Sequence, residues 1–375
     1  MKILENKKAC CGCFACFNSC PVHAIEMLSD NEEFKYPVIN EDICIQCNKC
    51  KQVCPILQQL KRNTQEKAYI AYASNEEERM SSSSGGAFAV FAKYILLSGG
   101  SVCGATYNEK MEVEHCIITS TEELYQLKGT KYVQSNVNNV YEQIRLLLKK
   151  DVNVLFSGTP CQVAGLKSFL RKDYDNLICI DLICHGVPSP EIWKDYLSSI
   201  NINKDVKHVN FRYKNLDKKT TQIAYYLDDN SIVLEEKNDS LYMKGFIQNL
   251  YVRPSCFDCR FKGNNRMSDI TIGDFWSAKE FHADMADDYG NSAIIIRSDK
   301  GQSLLEAVKN ELVIKDATIK EVVTWNECLV ESTKMNEKRK EFYERWRKEP
   351  LQSILEDLTK KEMSEKAKEK NAFPW

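Results

Sequence analysis

The chain has 375 residues and 17 cysteines, and its 51 Lys and Arg against 53 Asp and Glu give a formal net charge of −2. This length exceeds what one small core requires, so two or three domains are expected. The near-balanced charge offers no electrostatic footprint for nucleic acid or an anionic membrane surface, and we expect neither as a partner. The longest apolar run is short and interrupted by Lys93, and no apolar leader precedes the cysteines. We therefore expect no membrane span, no export and a cytoplasmic protein whose thiols stay reduced.

Two copies of one cysteine pattern open the chain, and each reads C-x2-C-x2-C-x3-C-P. The copies consist of Cys10, Cys13, Cys16, Cys20 and Pro21, and of Cys44, Cys47, Cys50, Cys54 and Pro55. In this pattern three thiolates hold one 4Fe-4S cubane and the fourth reaches the cubane of the other copy. Zinc sites instead use paired C-x2-C knuckles, so zinc and a disulfide framework are the weaker alternatives. The predicted ligands are Cys10, Cys13, Cys16 and Cys54 for one cluster, and Cys44, Cys47, Cys50 and Cys20 for the second.

The stretch resembles the two-cluster bacterial-type ferredoxins over roughly the first 60 residues. This resemblance implies an α+β ferredoxin-like module over residues 1–62. Because exposed cubanes fare poorly in oxygen, an anaerobic host is the accompanying hypothesis. The polar, lysine-rich stretch after Pro55 predicts a linker, with the domain boundary near residue 65.

Alternating strands and helices follow from residue 66 and predict an α/β domain with a largely parallel or mixed sheet. The predicted strands are KAYIAYAS, SVCGATY, VNVLFSG and NLICIDLIC, in that order. A Ser/Gly loop opens an amphipathic helix after the first strand, and VNNVYEQIRLLLK forms a second helix before the third strand. Further helices begin at Pro160 and at Pro190, where Ser189 is the expected cap.

Residues 205–240 change to three strands of a meander, which predicts an antiparallel insertion within the domain of residues 66–325. SDITIGDFW and SAIIIRS restore buried strands, and KGQSLLEAVKNE adds a helix. Residues 326–375 are mostly charged and predict a helical tail. A solvated face or a loose tail is the favoured interpretation of that segment. Docking onto a partner or a second subunit, and hence an oligomer, is the alternative.

Four further cysteines lie in stretches that are typical of site loops: Cys161, Cys184, Cys256 and Cys259. A C-x2-C knuckle and two single cysteines at strand ends can supply four thiolates to one cubane, so we predict a third 4Fe-4S cluster here. A four-cysteine zinc site and a redox thiol pair stay open as alternatives. The remaining cysteines are expected to be mostly small buried hydrophobic residues, namely Cys11, Cys103, Cys116, Cys179 and Cys328.

Two helix starts have the composition of phosphate-binding turns. In SSSSGGAF, Gly85 and Gly86 allow backbone N–H groups to approach a ligand, and the residues Ser157 to Thr159 precede the helix that begins at Pro160. An ordinary capped turn explains each stretch about as well. The chain has no G-x-G-x-x-G, so the dinucleotide fingerprint of Rossmann folds is absent.

Six ordered motifs carry a resemblance to a known family: RMSSSSGGAF, GTKYVQS, VLFSGTPCQVAGLK, DLICHGVPSP, RPSCFDCRFK and SDITIGDFW. Through them the chain resembles the coenzyme F(420) hydrogenase/dehydrogenase beta-subunit family over roughly residues 1–310. Members of that family are iron-sulfur flavoproteins. The resemblance implies FAD in the central domain, an α/β flavin domain, beside a cluster on Cys161, Cys184, Cys256 and Cys259. The family covers several substrates, among which the deazaflavin coenzyme F420 is one candidate.

The same resemblance implies which residues line the flavin. They are Ser83, Ser84, Gly85, Gly86, Lys131, Ser157, Gly158, Thr159, Pro160, Asp269, Gly273 and Asp274. Lys131 beside the reduced flavin's N1 region and His185 as a proton donor next to Cys184 are candidate catalytic residues. The alternatives are a salt bridge for Lys131, a backbone contact for His185, and capping or ribose binding for the two aspartates.

A flavin accepts a hydride and releases single electrons, so it can connect cubanes to a two-electron substrate. We therefore predict an oxidoreductase that passes electrons between ferredoxin-type clusters, the third cluster and FAD, and reduces or oxidises a small organic substrate or deazaflavin. A redox partner protein or a low-potential electron donor is the expected partner. The alternatives are a non-catalytic electron-transfer subunit docked to a partner oxidoreductase, and a zinc-stabilised binding protein.

Overall fold

The computed structural model describes residues 2–59, 63, 65–200, 202, 204–215 and 220–360. Within them the chain forms an eight-stranded sheet, a three-stranded sheet and a two-stranded hairpin. The strands are β1 Ile25–Ser29, β2 Lys35–Ile39, β3 Lys67–Ala73, β4 Ser101–Tyr107, β5 Val113–Ile118, β6 Val154–Gly158, β7 Leu177–Leu182, β8 Val206–Asn215, β9 Thr220–Leu227, β10 Ile232–Glu236, β11 Ile270–Asp274, β12 Ser292–Ile296 and β13 Leu312–Ala317. The helices are α1 Ala15–Ser19, α2 Lys49–Gln52, α3 Glu76–Met80, α4 Ala87–Leu97, α5 Val140–Lys149, α6 Pro160–Leu170, α7 Pro190–Ser199, α8 Leu241–Ile247, α9 Ala278–Phe281, α10 Asp299–Val308, α11 Ile319–Val323, α12 Arg339–Arg345 and α13 Leu351–Leu358.

The N-terminal module is an antiparallel hairpin of β1 and β2 with one short helix in each cysteine run. The two runs repeat the same backbone conformation. Gly12 and Gln46 have φ of +66° and +53°, and Phe14 and Asn48, which precede α1 and α2, have φ of +63° and +58°. Left-handed residues between successive cysteines turn neighbouring N–H groups toward one side of the loop, where they can face an anion. The duplication in the sequence is therefore also a duplication of the backbone.

The large sheet has the strand order β13-β3-β12-β11-β7-β6-β4-β5. The neighbours β4–β6, β6–β7 and β7–β11 are parallel, and the other pairs are antiparallel. Parallel strands in the middle of a sheet are buried on both faces, which explains why β6 and β7 are nearly continuous apolar runs. The predicted mixed sheet is confirmed.

Helices cover both faces of this sheet, and successive residues of β6 point to the two sides. Leu155 packs with α4 and α10 on one face. Val154 and Phe156 pack with α5 and α6 on the other face. Phe14 and Ala15 of the first cysteine run belong to the second of these cores, so the N-terminal module is seated against the sheet domain.

The strands β8, β9 and β10 form the predicted antiparallel meander, which has a core of its own. Trp193 of α7 is the centre of that core, with its ring 4.9 Å from the rings of both Phe211 and Tyr242. Large aromatic side chains supply most of the buried area here. The meander is thus anchored by α7 and α8, and Arg212 of β8 reaches Asp274 at the end of β11 in the large sheet.

The C-terminal helices α12 and α13 do not form the loose tail that their charged composition favours. Four side chains of this segment are buried in the core of the meander: Phe342 of α12, Trp346 directly after α12, and Ile354 and Leu355 of α13. An apolar stripe at helical spacing decides this packing, although most of the segment is charged. Residues 361–375 of the predicted tail lie outside the described residues.

Two strands of the structure have no counterpart among the predicted strands. They are β5 and β13, which lie at the two edges of the large sheet. The boundary near residue 65 falls beside residues 60–62 and 64, which lie outside the described residues. Over the described ranges, none of the helices is both long enough and apolar enough to cross a membrane.

Leu355 offers a test of the C-terminal packing, because it is fully buried where α13 meets α7 and α8. Leu355→Ala is expected to lower the free energy of unfolding by about 2–5 kcal/mol, as large-to-small changes in a core do. Glu356→Ala, at the exposed neighbouring position, is expected to change it by about 0.5 kcal/mol or less. Urea unfolding of anaerobically purified protein, followed by tryptophan fluorescence, measures both. Equal stability of the two variants would contradict the packing.

Candidate functional site

The carboxyl ends of three neighbouring strands meet at one edge of the large sheet. β6 ends at Gly158, β7 at Leu182 and β11 at Asp274, and the three strands are parallel. Ligand sites of α/β folds form at such an edge, because the loops that leave the strands converge there. We call it the carboxyl edge. Cys161 lies in the first turn of α6, which follows β6, and Cys184 lies in the loop after β7, so this arrangement brings the two together.

The four cysteines of the predicted third cluster line one pocket with about 550 Å³ of empty volume. They are Cys161, Cys184, Cys256 and Cys259. Cys11 of the first cysteine run lines the same pocket, which sequence reasoning missed. We call it the thiol pocket. Among the residues that the structure describes, no three His, Cys, Asp or Glu side chains are placed to hold a single metal ion.

Buried cations surround the thiol pocket. Lys262 donates from Nζ to the carbonyls of Cys184 and Cys328, at 2.5 and 2.6 Å. Arg266 pairs with Asp181 through Nη1 at 3.0 Å, while its Nε and Nη2 are buried without a hydrogen-bond partner. Buried donors without a partner are costly, so this site favours an anionic occupant. A 4Fe-4S cluster on four thiolates accepts hydrogen bonds at its sulfurs, and the donors present fit that group.

The thiols of the pocket hold their protons more tightly than free cysteines. Burial raises the pKa of Cys256 to about 12 and also raises the pKa of Cys184 and Cys259. For Cys161 the largest cause of a raised pKa is the neighbouring Cys11 thiol. Thiolate ligands must be deprotonated, so metal binding at this pocket releases protons and is favoured as the pH rises.

A second pocket, with about 360 Å³ of empty volume, lies beside the thiol pocket in the N-terminal module. Its cysteines are Cys10, Cys11, Cys13, Cys16 and Cys54. The last of these comes from the second cysteine run and the others from the first. We call it the ferredoxin pocket. The structure thus brings together the crossed ligand set that the spacing predicts, and the ligation itself stays a prediction.

The other predicted ligand set lies on the more open side of the module. Cys20 packs beside Cys50 in a small core with Cys16 and Cys54. Burial raises the pKa of Cys50, and the nearby thiols of Cys47 and Cys20 add to the effect. Cys47 is exposed. This set is therefore the one that solvent and a partner can approach from outside the chain.

The Ser/Gly loop lies at the carboxyl edge, against β3 and the start of β12. A Cβ atom on Gly85 would be 2.3 Å from the carbonyl oxygen of Ala71, and Gly86 has φ of +86° before α4. The hydroxyl of Ser292 accepts hydrogen bonds from the N–H groups of Gly85 at 2.9 Å and Ala87 at 3.4 Å. Both glycines are therefore required by the backbone, and two N–H groups of this helix start are already bound.

Three buried cations of the meander lie beside the Ser/Gly loop. Arg212 forms two hydrogen bonds with Asp274, of 3.0 and 2.8 Å. Lys214 donates to the carbonyl of Ser84 at 2.7 Å. Lys237 Nζ and Arg212 Nε are buried and have no hydrogen-bond partner. We call Arg212, Lys214 and Lys237 the cation cluster.

The cation cluster carries more positive charge than Asp274 balances. Burial lowers the pKa of Lys214 and of Lys237 to about 7, and the charge of Arg212 adds to both effects. Sequence reasoning missed these residues, since lysine-rich composition alone indicates a solvated surface. The only available signal is the spacing of Arg212 and Lys214, which places both side chains on one face of β8.

Lys131 and His185 both have partners within the protein. Lys131 Nζ donates to the carbonyls of Gln126 and Lys128 at 2.9 Å each, and burial lowers its pKa to about 7. His185 lines the thiol pocket, with Nε2 2.7 Å from Asn249 Oδ1, and burial lowers its pKa. Both side chains are held in place by these contacts, and their catalytic roles stay predictions.

The remaining predicted flavin residues divide between the two edges of the sheet. Ser157–Pro160, and residues 273 and 274, lie at the carboxyl edge. Asp269 precedes β11 at the opposite edge, where its carboxylate accepts hydrogen bonds from Cys179 N at 2.8 Å and Ser298 Oγ at 2.6 Å. These contacts tie strands together and account for Asp269 without a ligand.

Arg253 joins the N-terminal module to the sheet domain. Its buried guanidinium donates to the carbonyls of Cys10 and Lys35 at 2.8 and 3.0 Å and to Gln134 Oε1 at 2.9 Å. It also lies over the ring of Tyr36, 4.4 Å from the centroid. This one side chain therefore fixes the loop of the first cysteine run.

Arg253→Met is expected to loosen the module, because each buried acceptor that is left unpaired costs about 1–3 kcal/mol. Limited proteolysis under anaerobic conditions should then cleave between module and domain faster than in the unchanged protein. Arg347 is the matched control, since it joins the same module at Glu33 in an exposed ion pair. Arg347→Met is expected to cost about 1 kcal/mol or less. Equal cleavage rates for the two variants would refute the role of Arg253.

Two family models match the chain. The model for the C-terminal part of the coenzyme F420 hydrogenase/dehydrogenase beta subunit matches residues 151–322, which include the carboxyl edge, the cation cluster and the thiol pocket's four predicted ligands. The 4Fe-4S dicluster domain matches residues 9–56, which include both cysteine runs. Residues 57–150, which include the strands β3, β4 and β5 and the Ser/Gly loop, lie between the two matches.

The chain is also similar to individual proteins. The F subunit of the F(420)H(2) dehydrogenase from Methanosarcina mazei is 22% identical over 323 residues, which cover 82% of this chain and 84% of the relative. The coenzyme F420-dependent sulfite reductase of Methanocaldococcus jannaschii is 24% identical over 310 residues, or 80% of this chain and 46% of that relative, so the chain spans about half its length. A chain of the F420-reducing hydrogenase complex from Methanosarcina barkeri has a TM-score of 0.49 at 15% identity, with 77% of this chain and 95% of that chain covered. By these matches residues 151–322 belong to the coenzyme F420 hydrogenase/dehydrogenase beta-subunit family and residues 9–56 to the 4Fe-4S dicluster domains, so the chain is an iron-sulfur protein related to oxidoreductase subunits.

Proposed function

We propose that the chain is an iron-sulfur flavoprotein that passes electrons between 4Fe-4S clusters and FAD, and through FAD to or from a small organic substrate. The observation that carries the proposal is the presence of two buried sites with unpartnered donors at one sheet edge, the thiol pocket and the cation cluster. Folding buries donors without partners only at a cost, so a bound anion at each site explains both.

The ligands of the third cluster in this proposal are Cys161, Cys184, Cys256 and Cys259. Their thiols line one pocket, and Lys262 and the free donors of Arg266 supply positive charge beside it. The ferredoxin pocket and the set of Cys20, Cys44, Cys47 and Cys50 hold the other two clusters. The match to a 4Fe-4S dicluster domain supports these two.

The diphosphate of FAD is proposed to bind at the cation cluster, against the Ser/Gly loop. Lys237 Nζ and Arg212 Nε are the free donors for its oxygens. Phosphate groups are strong acceptors for guanidinium and ammonium donors, and their charge offsets the repulsion among the buried cations. Gly85 and Gly86 have no side chains, so the backbone of this loop leaves space for the diphosphate.

When bound, FAD accepts a hydride and releases electrons singly, which is the conversion that cubanes cannot perform. The chain's own residues bind and orient FAD. Asp274 holds Arg212 in place, and the end of β6 at Gly158 borders the site at the carboxyl edge. Lys131 and His185 are the proposed catalytic side chains, since both lie in loops at this edge. Asp269 is left out of the flavin site because it lies at the opposite edge.

The substrate and the partner are inferred from the relatives. Their names contain coenzyme F420, a dehydrogenase subunit and a sulfite reductase, so we propose a deazaflavin as the two-electron substrate. A subunit passes electrons to another protein, and the open side of the module around Cys47 is the proposed port for a redox partner.

Anaerobic purification followed by iron, sulfide and flavin quantification tests the proposal. Three cubanes predict about twelve irons, and one FAD, per chain. The double variant Cys256→Ala, Cys259→Ala is expected to lose about four irons and keep the others, because the N-terminal ligand sets are untouched.

The matched control is the double variant Cys103→Ala, Cys179→Ala, which removes two buried thiols outside both pockets. It is expected to keep all of its iron. Two results would refute the proposed third cluster: about eight irons in the unchanged protein, or equal iron in the two double variants. Clusters without flavin would instead indicate an electron-transfer subunit that lacks its own catalytic cofactor.

FAD affinity is expected to depend on pH through the cation cluster. The pKa of Lys237 is about 7 in the free protein, so its ammonium is present at pH 6 and mostly lost at pH 8. A diphosphate prefers the charged form, and the affinity is expected to fall about tenfold from pH 6 to pH 8 for the one lysine. Quenching of flavin fluorescence by FAD-depleted protein measures the dissociation constant at each pH.

Lys237→Gln is expected to bind FAD weakly at pH 6, and its affinity is expected to depend less on pH. Lys214 supplies the remaining pH dependence. Lys207→Gln, at an exposed position of the same meander, is expected to leave the affinity and its pH dependence unchanged. An unchanged affinity in Lys237→Gln would place the diphosphate elsewhere.

A further inference from the structure

Among the residues that the structure describes, Cys11 is the one cysteine that lines both the thiol pocket and the ferredoxin pocket. It is the extra thiol of the first run, outside the C-x2-C-x2-C-x3-C spacing, and its side chain is buried with 7% exposure. Each pocket has four other cysteines of its own. Cys11 is therefore not needed as a ligand of either predicted cluster.

The Cys11 thiol interacts with one predicted ligand of each cluster. Its partners are the thiol of Cys13 in the ferredoxin pocket and the thiol of Cys161 in the thiol pocket. Cys13 and Cys161 lie 148 positions apart in the sequence, and Cys11 lines the pocket of each. Ile56 also lines both pockets, but its side chain carries no sulfur.

The surroundings of Cys11 hold it in this place. Gln134 Nε2 donates to the Cys11 carbonyl at 3.2 Å, and Arg253 donates to the preceding carbonyl. On the helix that carries Cys161, a Cβ atom at Gly165 would be 2.8 Å from Cys13 Cβ. The absence of that atom lets α6 approach the first cysteine run closely.

We propose, on the basis of the function proposed above, that Cys11 is the bridge through which electrons pass between the ferredoxin pocket and the thiol pocket. One electron crosses at a time and no proton moves with it. The cluster on Cys10, Cys13, Cys16 and Cys54 is then the inner one. The cluster on Cys20, Cys44, Cys47 and Cys50 is the outer one, which exchanges electrons with the partner.

Electrons can pass through Cys11 because its side chain provides a continuous packed path between a ligand of one cluster and a ligand of the other. A void would interrupt this path, because the atoms that line a void lose their packing partners. Serine has nearly the shape of cysteine and keeps most of the contact. Alanine removes the sulfur and leaves a gap between Cys13 and Cys161.

The test uses the holoprotein with Cys11→Ala and Cys11→Ser, and compares the rate at which the thiol-pocket cluster is reduced. The reductant is dithionite below one equivalent, and rapid-freeze electron paramagnetic resonance follows the clusters. The signal of the thiol-pocket cluster is the one that is missing from the Cys256→Ala, Cys259→Ala variant. Cys11→Ala is expected to keep the full iron content but to lose the fast phase in the reduction of the thiol-pocket cluster. Cys11→Ser is expected to keep most of that fast phase.

Cys103→Ala, at a fully buried thiol of the same core, is the control for a general packing defect. It is expected to keep the fast phase. A wild-type rate in Cys11→Ala would overturn the bridge, and so would the loss of about four irons, since Cys11 would then be a ligand. A missing thiol-pocket signal in the unchanged protein would instead overturn the proposed function before Cys11 is tested.

Discussion

The buried guanidinium of Arg253 is the interaction on which the arrangement of the two pockets depends. It binds the loop of the first cysteine run through Cys10, and its own segment continues directly into the knuckle of Cys256 and Cys259. The rings of Phe34 and Tyr36 cover it, which keeps water away and strengthens each hydrogen bond. Gly12 makes the close approach feasible, because a Cβ atom there would be 2.8 Å from the guanidinium. This charged side chain thus fixes the first cysteine run against the sheet domain, where the packing of Phe14 and Ala15 also holds the module.

Both candidate sites follow the same physical rule, which is that the fold buries cationic donors and leaves some of them unpaired. Arg266 does so beside the thiols, and Lys237 and Arg212 do so beside the Ser/Gly loop. Such groups reduce the stability of the free protein and increase its affinity for an anion. The iron-sulfur and flavin cofactors of the proposed function are both anionic. Cofactor binding would therefore contribute directly to the stability of the fold.

The parts of the fold that are repetitive or strongly apolar could be predicted from the sequence. The mixed sheet and the meander follow from periodicity, and the structure has both. The spacing of the cysteine runs predicts crossed ligand sets, which stay a prediction. The edge strands β5 and β13 could not be predicted from the sequence, because their half-exposed residues lack a continuous apolar run. The packing of α12 and α13 could not be predicted either, because the segment is mostly charged and its apolar stripe, which includes Phe342 and Leu355, is hard to recognise in the sequence.

By itself the sequence determined which thiols are candidate ligands, because the fixed spacing offers three thiols of one run and the last thiol of the other run to each predicted cubane. Tertiary structure alone decided which distant groups meet. It placed Asp269 at the opposite edge of the sheet from Asp274, brought Arg212, Lys214 and Lys237 together near the Ser/Gly loop, and put Cys11 in the lining of two pockets. The reason is that burial and charge act through space. A lysine is a solvated residue or an anion-binding group according to what folds over it, and its neighbours in the sequence do not determine which.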